Sequence, residues 1–244
     1  LSIRRQRQMC IRDRGYLEQA LELDTSGIAV ADAFRNKGLW YANQGLREDA
    51  VKQYQAAMQN APMHTYIAIE LATQYNALGE VDEAIGVLNT AREMNPSDTS
   101  VMFALASAYW RNGDVDRAYE YYRRCLDVDP DNVLCLSWLG GLQHTDGDYV
   151  TAATNLQRAI DLGSEDPDDF YQLGHSHASL GRCDLAIPVF ERGYQIVFDN
   201  QDQARIQKFT TALRSCGQAV TTTETDASAT VEPADSEADD SDIQ

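Results

Sequence analysis

Two adjacent stretches set the rhythm of the chain. In SVMFALASAYW (100–110) and DRAYEYYRRCL (116–126) apolar residues recur three and four positions apart with polar residues between them. That spacing draws one apolar stripe along an α-helix, so each stretch predicts an amphipathic helix of about three to four turns. Gly113 separates the two and Pro130 follows the second. Glycine permits the left-handed turn that ends a helix, and proline stops the next one, so together they predict a helical hairpin.

The hairpin returns along the chain. Glycines stand at 45, 79, 113, 147 and 181, each 34 residues after the last, and alanines keep the same step at 50, 84, 118, 152 and 186. Further rows of small residues are Ala57, Ala91, Cys125, Ala159 and Gly193, and Gly38, Ala72, Ala106, Gly140 and Gly174. Large apolar residues recur between them, as Leu71, Leu105, Leu139 and Leu173, and as Tyr54, Leu88, Tyr122, Leu156 and Phe190. Small positions facing large ones let helices approach closely, and a period of this size marks stacked units that bury the leftover apolar face against their neighbours. Gly79 precedes Glu80, Asp82 and Glu83. Those acids repel a phosphate and suit the positive end of a following helix, so the glycine is read as a turn.

In the unit starting at residue 99, Met102, Leu105, Ala106, Tyr109, Ala118, Tyr122, Cys125 and Pro130 fall in the columns of a known motif, and Pro62 and Pro96 close the two units before it. The pattern resembles the tetratricopeptide repeat. The resemblance implies an all-α, right-handed superhelical solenoid of 34-residue helix-turn-helix repeats. Five units are expected, at 31–64, 65–98, 99–132, 133–166 and 167–200. Ser164 and Phe198 stand where the fourth and fifth units lack the closing proline, and Lys37, Gln143 and His177 also depart from the motif. GYLEQALELDT places a partial repeat helix and linker in 15–30, and residues 201–216 read as a capping helix with one polar face. Pro188 lies inside the second helix of the fifth unit and is expected to bend it near Asp184.

The ends read differently. Residues 1–14 open without methionine, and RQRQMCIRDR resembles translated adaptor sequence rather than protein, so this stretch is set aside as non-native or disordered. The native start, with any signal peptide, anchor or further domain, is then expected upstream. Residues 217–244 carry eight acids and neither a base nor an aromatic residue, too little apolar surface to offset the entropy of ordering, so a disordered acidic tail is expected.

Composition narrows the function classes. The chain has 20 basic and 38 acidic residues, a net charge of −18, which disfavours nucleic acid and favours basic partners. No run reaches the roughly 18 consecutive apolar residues of a membrane-spanning helix. Of the four histidines, His64, His144, His175 and His177, the last two are two positions apart and point to different faces of one helix, which is no metal pair. There is no Cys-x-x-Cys and no recognisable catalytic set, so neither an enzyme nor a cofactor is expected.

Cys125 and Cys135 lie five residues either side of Pro130, and Cys183 and Cys216 are equidistant from the Asp199-Asn200 turn. Equidistant residues on antiparallel helices sit level. Axes roughly 8 Å apart, less two backbone radii, bring facing Cα atoms to about 4 Å, near the lower end of disulfide geometry. Two readings stay open: two disulfides and an extracytoplasmic (periplasmic or cell-surface) location, or small buried hydrophobes in a cytoplasmic protein.

By the family resemblance, the second, fifth, sixth, ninth, twelfth and thirteenth positions of each first helix line a concave groove. Here these include Arg35, Asn36, Asn43, Tyr66, Ile69, Asn76, Phe103, Trp110, Arg111, Trp138, His144, Tyr171 and His175. Chaperone-tail-binding members clamp a terminal carboxylate with lysines, asparagines and arginine at such positions, and this chain lacks the lysines. An aromatic trough with scattered polar groups suits a protein or peptide ligand, basic or aromatic-rich. The expected function is a non-catalytic interaction scaffold. The alternative is a regulatory or substrate-recruiting repeat region of a larger enzyme truncated at its N-terminus.

Overall fold

A computed structural model describes residues 27–217. The expectations placed on 1–14, on most of 15–30 and on the acidic tail lie outside the described residues. Within them the chain forms eleven helices and no strand: α1 (Ile28–Asn43), α2 (Arg47–Asn60), α3 (Thr65–Leu78), α4 (Val81–Met94), α5 (Thr99–Arg111), α6 (Val115–Val128), α7 (Val133–Thr145), α8 (Tyr149–Asp161), α9 (Pro167–Ser179), α10 (Cys183–Asp199) and α11 (Gln203–Ser215). Each helix packs on the next, and α1–α10 form five successive hairpins.

The glycine column follows the first helix of every hairpin. Gly45, Gly79, Gly113, Gly147 and Gly181 have φ between 74° and 82°, a left-handed conformation that side chains disfavour. The residue after each glycine donates its N–H back to the last helical turn, as Glu80 does to the Tyr75 carbonyl at 2.9 Å and Arg182 to the His177 carbonyl at 2.9 Å. This bond uses only backbone, so the departures at Gln143 and His177 leave the turn unchanged. At the helix starts, Asp98, Asp114, Asn132, Asp148, Asp166 and Asp202 accept from backbone N–H groups, satisfying donors that a helix leaves unpaired.

The small columns are closed by large neighbours. Ala50, Ala84, Ala118, Ala152 and Ala186 are fully buried, as are Tyr54, Leu88, Tyr122, Leu156 and Phe190. Gly38 lies against the Tyr54 ring, Gly140 against Leu156 and Gly174 against Phe190, sixteen positions apart each time. The buried side chains form two clusters, one on α1–α7 and one on α8–α11. They meet inside the fourth hairpin, where the Gly140 backbone, not a side chain, faces Leu156. Among the described residues no helix is long and apolar enough to cross a membrane.

The two units without a closing proline show what its loss does. In the fourth, Gly163 takes φ 102° and the Ser164 hydroxyl donates to Asp169 Oδ2 at 2.5 Å, tying the loop to α9. In the fifth, nothing stops the helix, and α10 runs 17 residues where its counterparts have 13 or 14. It continues through Pro188, the sixth helical residue, which has no N–H to donate to the Asp184 carbonyl one turn back. The cap α11 buries Phe209, Ala212 and Leu213 on the fifth hairpin.

Both cysteine pairs come to sulfur–sulfur bonding distance, Cys125 with Cys135 and Cys183 with Cys216. Their Cα separations are 6.4 and 5.4 Å. These exceed the roughly 4 Å expected for Cα atoms on the shortest line between packed axes and fall inside the usual disulfide range. The first pair is fully buried, the second half-buried.

Candidate groove on the first helices

The odd-numbered helices α3 and α5 touch across their unit boundary, as do α7 and α9. In a curved stack the row whose members meet side by side is the inner one, so the first helices line the hollow side. Three clusters of expected site residues gather there.

The first joins α1 to α3. The Arg35 guanidinium donates to Glu70 in a two-pronged pair, one arm at 2.8 Å, and lies 5.0 Å from the Tyr66 ring centre. Its hydrogen bond to Glu70 raises its pKa further. Tyr66 is 39% exposed, its hydroxyl donating to Asp32 at 3.3 Å and lying 2.8 Å from His64 Nδ1. Burial, then the Asp32 charge, pushes its pKa up.

The second spans α5 to α7. Trp110 and Trp138 stand edge to face, 5.8 Å between ring centres and 73° between planes, while Phe103 lies 6.2 Å from Trp138. Trp138 also stacks on buried Tyr122, whose hydroxyl burial pushes up to about 12. Phe103 is half-buried against the core, whereas Trp110 and Trp138 keep 44% and 38% of their surface exposed.

The third joins α7, α9 and the cap. His144 Nε2 and His175 Nδ1 are 3.1 Å apart. Burial, then His175 and Lys208, lowers the His144 pKa and so keeps that ring neutral. Tyr171 stacks on His175 with 6.1 Å between centres and carries the Lys208 ammonium 3.8 Å over its ring. The pairing of His144 with His175 escaped sequence reading, which compared His175 with His177. His177 instead has a buried Nδ1 with no hydrogen-bond partner among the described residues, and burial lowers its pKa.

Of the other expected residues, Asn43 and Arg111 are exposed at the ends of α1 and α5, and Asn76 is half-buried near the end of α3, its Oδ1 without a partner among the described residues. Among the described residues no three His, Cys, Asp or Glu side chains converge to hold a metal.

Between the second and third clusters lies a cavity of about 250 Å³, walled by Trp110 and Trp138 and floored by Asp166, Asp168, Asp169 and Gln172. Asp169 is 3% exposed and accepts from Ser137 and Ser164 at 2.5 Å each. Burial pushes its pKa up, against the pull of those two hydroxyls. Asp168 pairs with Arg205 at 2.9 Å and Lys208 at 3.6 Å. Sequence reading passed over Ser137, Asp168 and Gln172, although each occupies one of the inward columns. Lys208 belongs to no repeat column and carried no such signal.

These features define an all-α repeat solenoid with an aromatic inner face. The tetratricopeptide repeat family model matches at residues 35–99, 69–133 and 103–167, windows offset by 34 residues that together span more than half of the chain. The chain belongs to the tetratricopeptide repeat family. No curated protein matches it in sequence.

Solved structures share the fold. PilF of Pseudomonas aeruginosa is 17% identical, with 84% of this chain and 91% of that one covered at a TM-score of 0.67. A thermophilic TPR protein of Thermus thermophilus is 19% identical, with 75% and 99% covered at 0.59. YrrB, described as a TPR protein with an unusual peptide-binding site, is 14% identical, with 79% and 97% covered at 0.55.

Proposed function

We propose that the chain is a non-catalytic scaffold that holds a segment of a partner protein along its first helices. One contrast carries the reading. The second helices and the cap bury Tyr54, Tyr122, Phe190 and Phe209 and expose one large aromatic residue, Phe198 at the end of α10, while Tyr66, Trp110 and Trp138 on the first helices keep 39%, 44% and 38% of their surface exposed. Exposed tryptophan and tyrosine in a hollow supply large contact area at small entropy cost, which suits a peptide. The peptide-binding site of YrrB, a protein of the same fold, agrees with this use.

The test is selection from an immobilised random hexapeptide library by the full chain and by its Tyr66→Ala, Trp110→Ala and Tyr171→Ala variants. The expected result is a bound pool whose affinity for each variant falls by about tenfold or more, the usual effect of removing a central aromatic anchor. Equal binding by all three variants removes the groove from the account.

A further inference from the structure

The cavity walled by Trp110 and Trp138 has a chemistry more specific than the rest of the inner face. Its two indoles meet at 73° and both remain about two-fifths exposed, so each offers a π surface to a third group. The charged residues that line it are three aspartates, with no cation among them. Arg205 and Lys208, which pair with Asp168, come from α11 and do not line the cavity. Asp169 already satisfies two serine hydroxyls and contributes field rather than a free contact. Asp166 is different: it is exposed, and its Oδ1 accepts from the Asp168 N–H at 3.0 Å while its second oxygen has no partner among the described residues.

Indole faces and carboxylates attract the same kind of group. A guanidinium or ammonium gains from the negative face of an aromatic ring and from a nearby carboxylate, and guanidinium also stacks flat on indole. An acidic side chain meets the like charge of Asp166, and a purely apolar one leaves the second oxygen of that carboxylate without a partner. A volume of about 250 Å³ admits one side chain rather than a folded element. Net charge of −18 also draws a basic segment toward the chain.

We propose that this cavity receives one arginine or lysine side chain of the bound partner, caged by Trp110 and Trp138 and paired with Asp166. The proposal rests on the groove reading above and fixes the chemistry of its central subsite.

The probe is the same random hexapeptide library offered to the full chain, followed by titration of one selected peptide observed through the tryptophan indole N–H signals. The expected pool is enriched in arginine and lysine. The titration shifts the signals of Trp110 and Trp138 and leaves Trp40 in place. Replacing the peptide arginine by the neutral isostere citrulline weakens binding by about tenfold, as do Trp138→Ala and Asp166→Asn. Asp166→Asn keeps a helix-capping side chain at an exposed site, so its result does not depend on how well Trp138→Ala folds.

The outcomes separate the two ideas. A pool without basic enrichment that still requires Trp110 retains the groove and overturns the cavity proposal. Basic enrichment unaffected by Asp166→Asn and by citrulline also overturns it, placing the cation elsewhere. A chain that selects no peptide, or whose Trp110 and Trp138 signals move only with its own concentration, overturns both.

Discussion

A single methyl group probes the packing where glycine meets an aromatic ring. A Cβ added at Gly174 would come within 2.5 Å of Phe190 Cε1 and 2.6 Å of Cδ1, and Phe190 is 1% exposed with nowhere to move. Gly174→Ala is therefore expected to destabilise the array by about 1–3 kcal/mol, the range for over-packing a tight core, as measured by chemical denaturation. The same columns hold alanine at 72 and 106, opposite Leu88 and Tyr122, so the contact is set by the local pair and not by the column. The columns were legible because one period repeats five times. Which glycines have no room for a methyl was not, because that depends on the ring position across the hairpin.

Titration belongs to the residue scale as well. The pKa values of His144 and His177 lie below the ordinary 6.5, both through burial, which disfavours the charged ring. A base depressed in the folded state contributes stability that is present above its unfolded pKa and is lost as pH falls through the folded value. Thermal midpoints are thus expected to drop between about pH 7 and pH 5.5, with a shallower slope in His144→Gln. Asp169 has the opposite sign, since its raised pKa makes its contribution grow on acidification. The difference between wild type and His144→Gln removes that background, and identical slopes would show that His144 is not buried in solution.

At the scale of the element, the cap is the part with most to lose. α11 packs on α10 alone among the larger helix contacts, and the Cys183 and Cys216 sulfurs meet between its end and the start of α10. If the pair is oxidised, reduction or Cys216→Ser frees that end and lowers stability by up to about 4 kcal/mol. Amide exchange should then accelerate in α11 before the central helices, because the end unit of a stack has one neighbour only. Counting thiols in denaturant with and without reductant gives the redox state. Four free thiols without reductant, apart from Cys10, would contradict both pairings and the oxidising compartment they imply. Equidistance from the turn identified these partners. It placed their Cα atoms too close, because the cysteines do not lie on the line of closest approach.

For the whole molecule, the solenoid followed from periodicity and the expected inner row from the family resemblance, but the meeting of groups from different units followed from neither. His144 with His175 and Arg35 with Glu70 join side chains about one repeat apart, and the aspartates at the start of α9 share a cavity with Trp138, about one repeat before them, and Trp110, nearly two before. Such pairs form only when neighbouring hairpins stack with one offset, which a single unit does not encode. Stacking also makes the inner face an emergent property: no hairpin alone has a hollow side.

The most direct test of that hollow as the binding surface is an amide and indole chemical-shift map of the full chain with one library-selected peptide. The account predicts perturbations along α3, α5, α7 and α9, centred on Tyr66, Trp110, Trp138 and Tyr171. Perturbations confined to the outer helices α2, α4, α6 and α8 would contradict it.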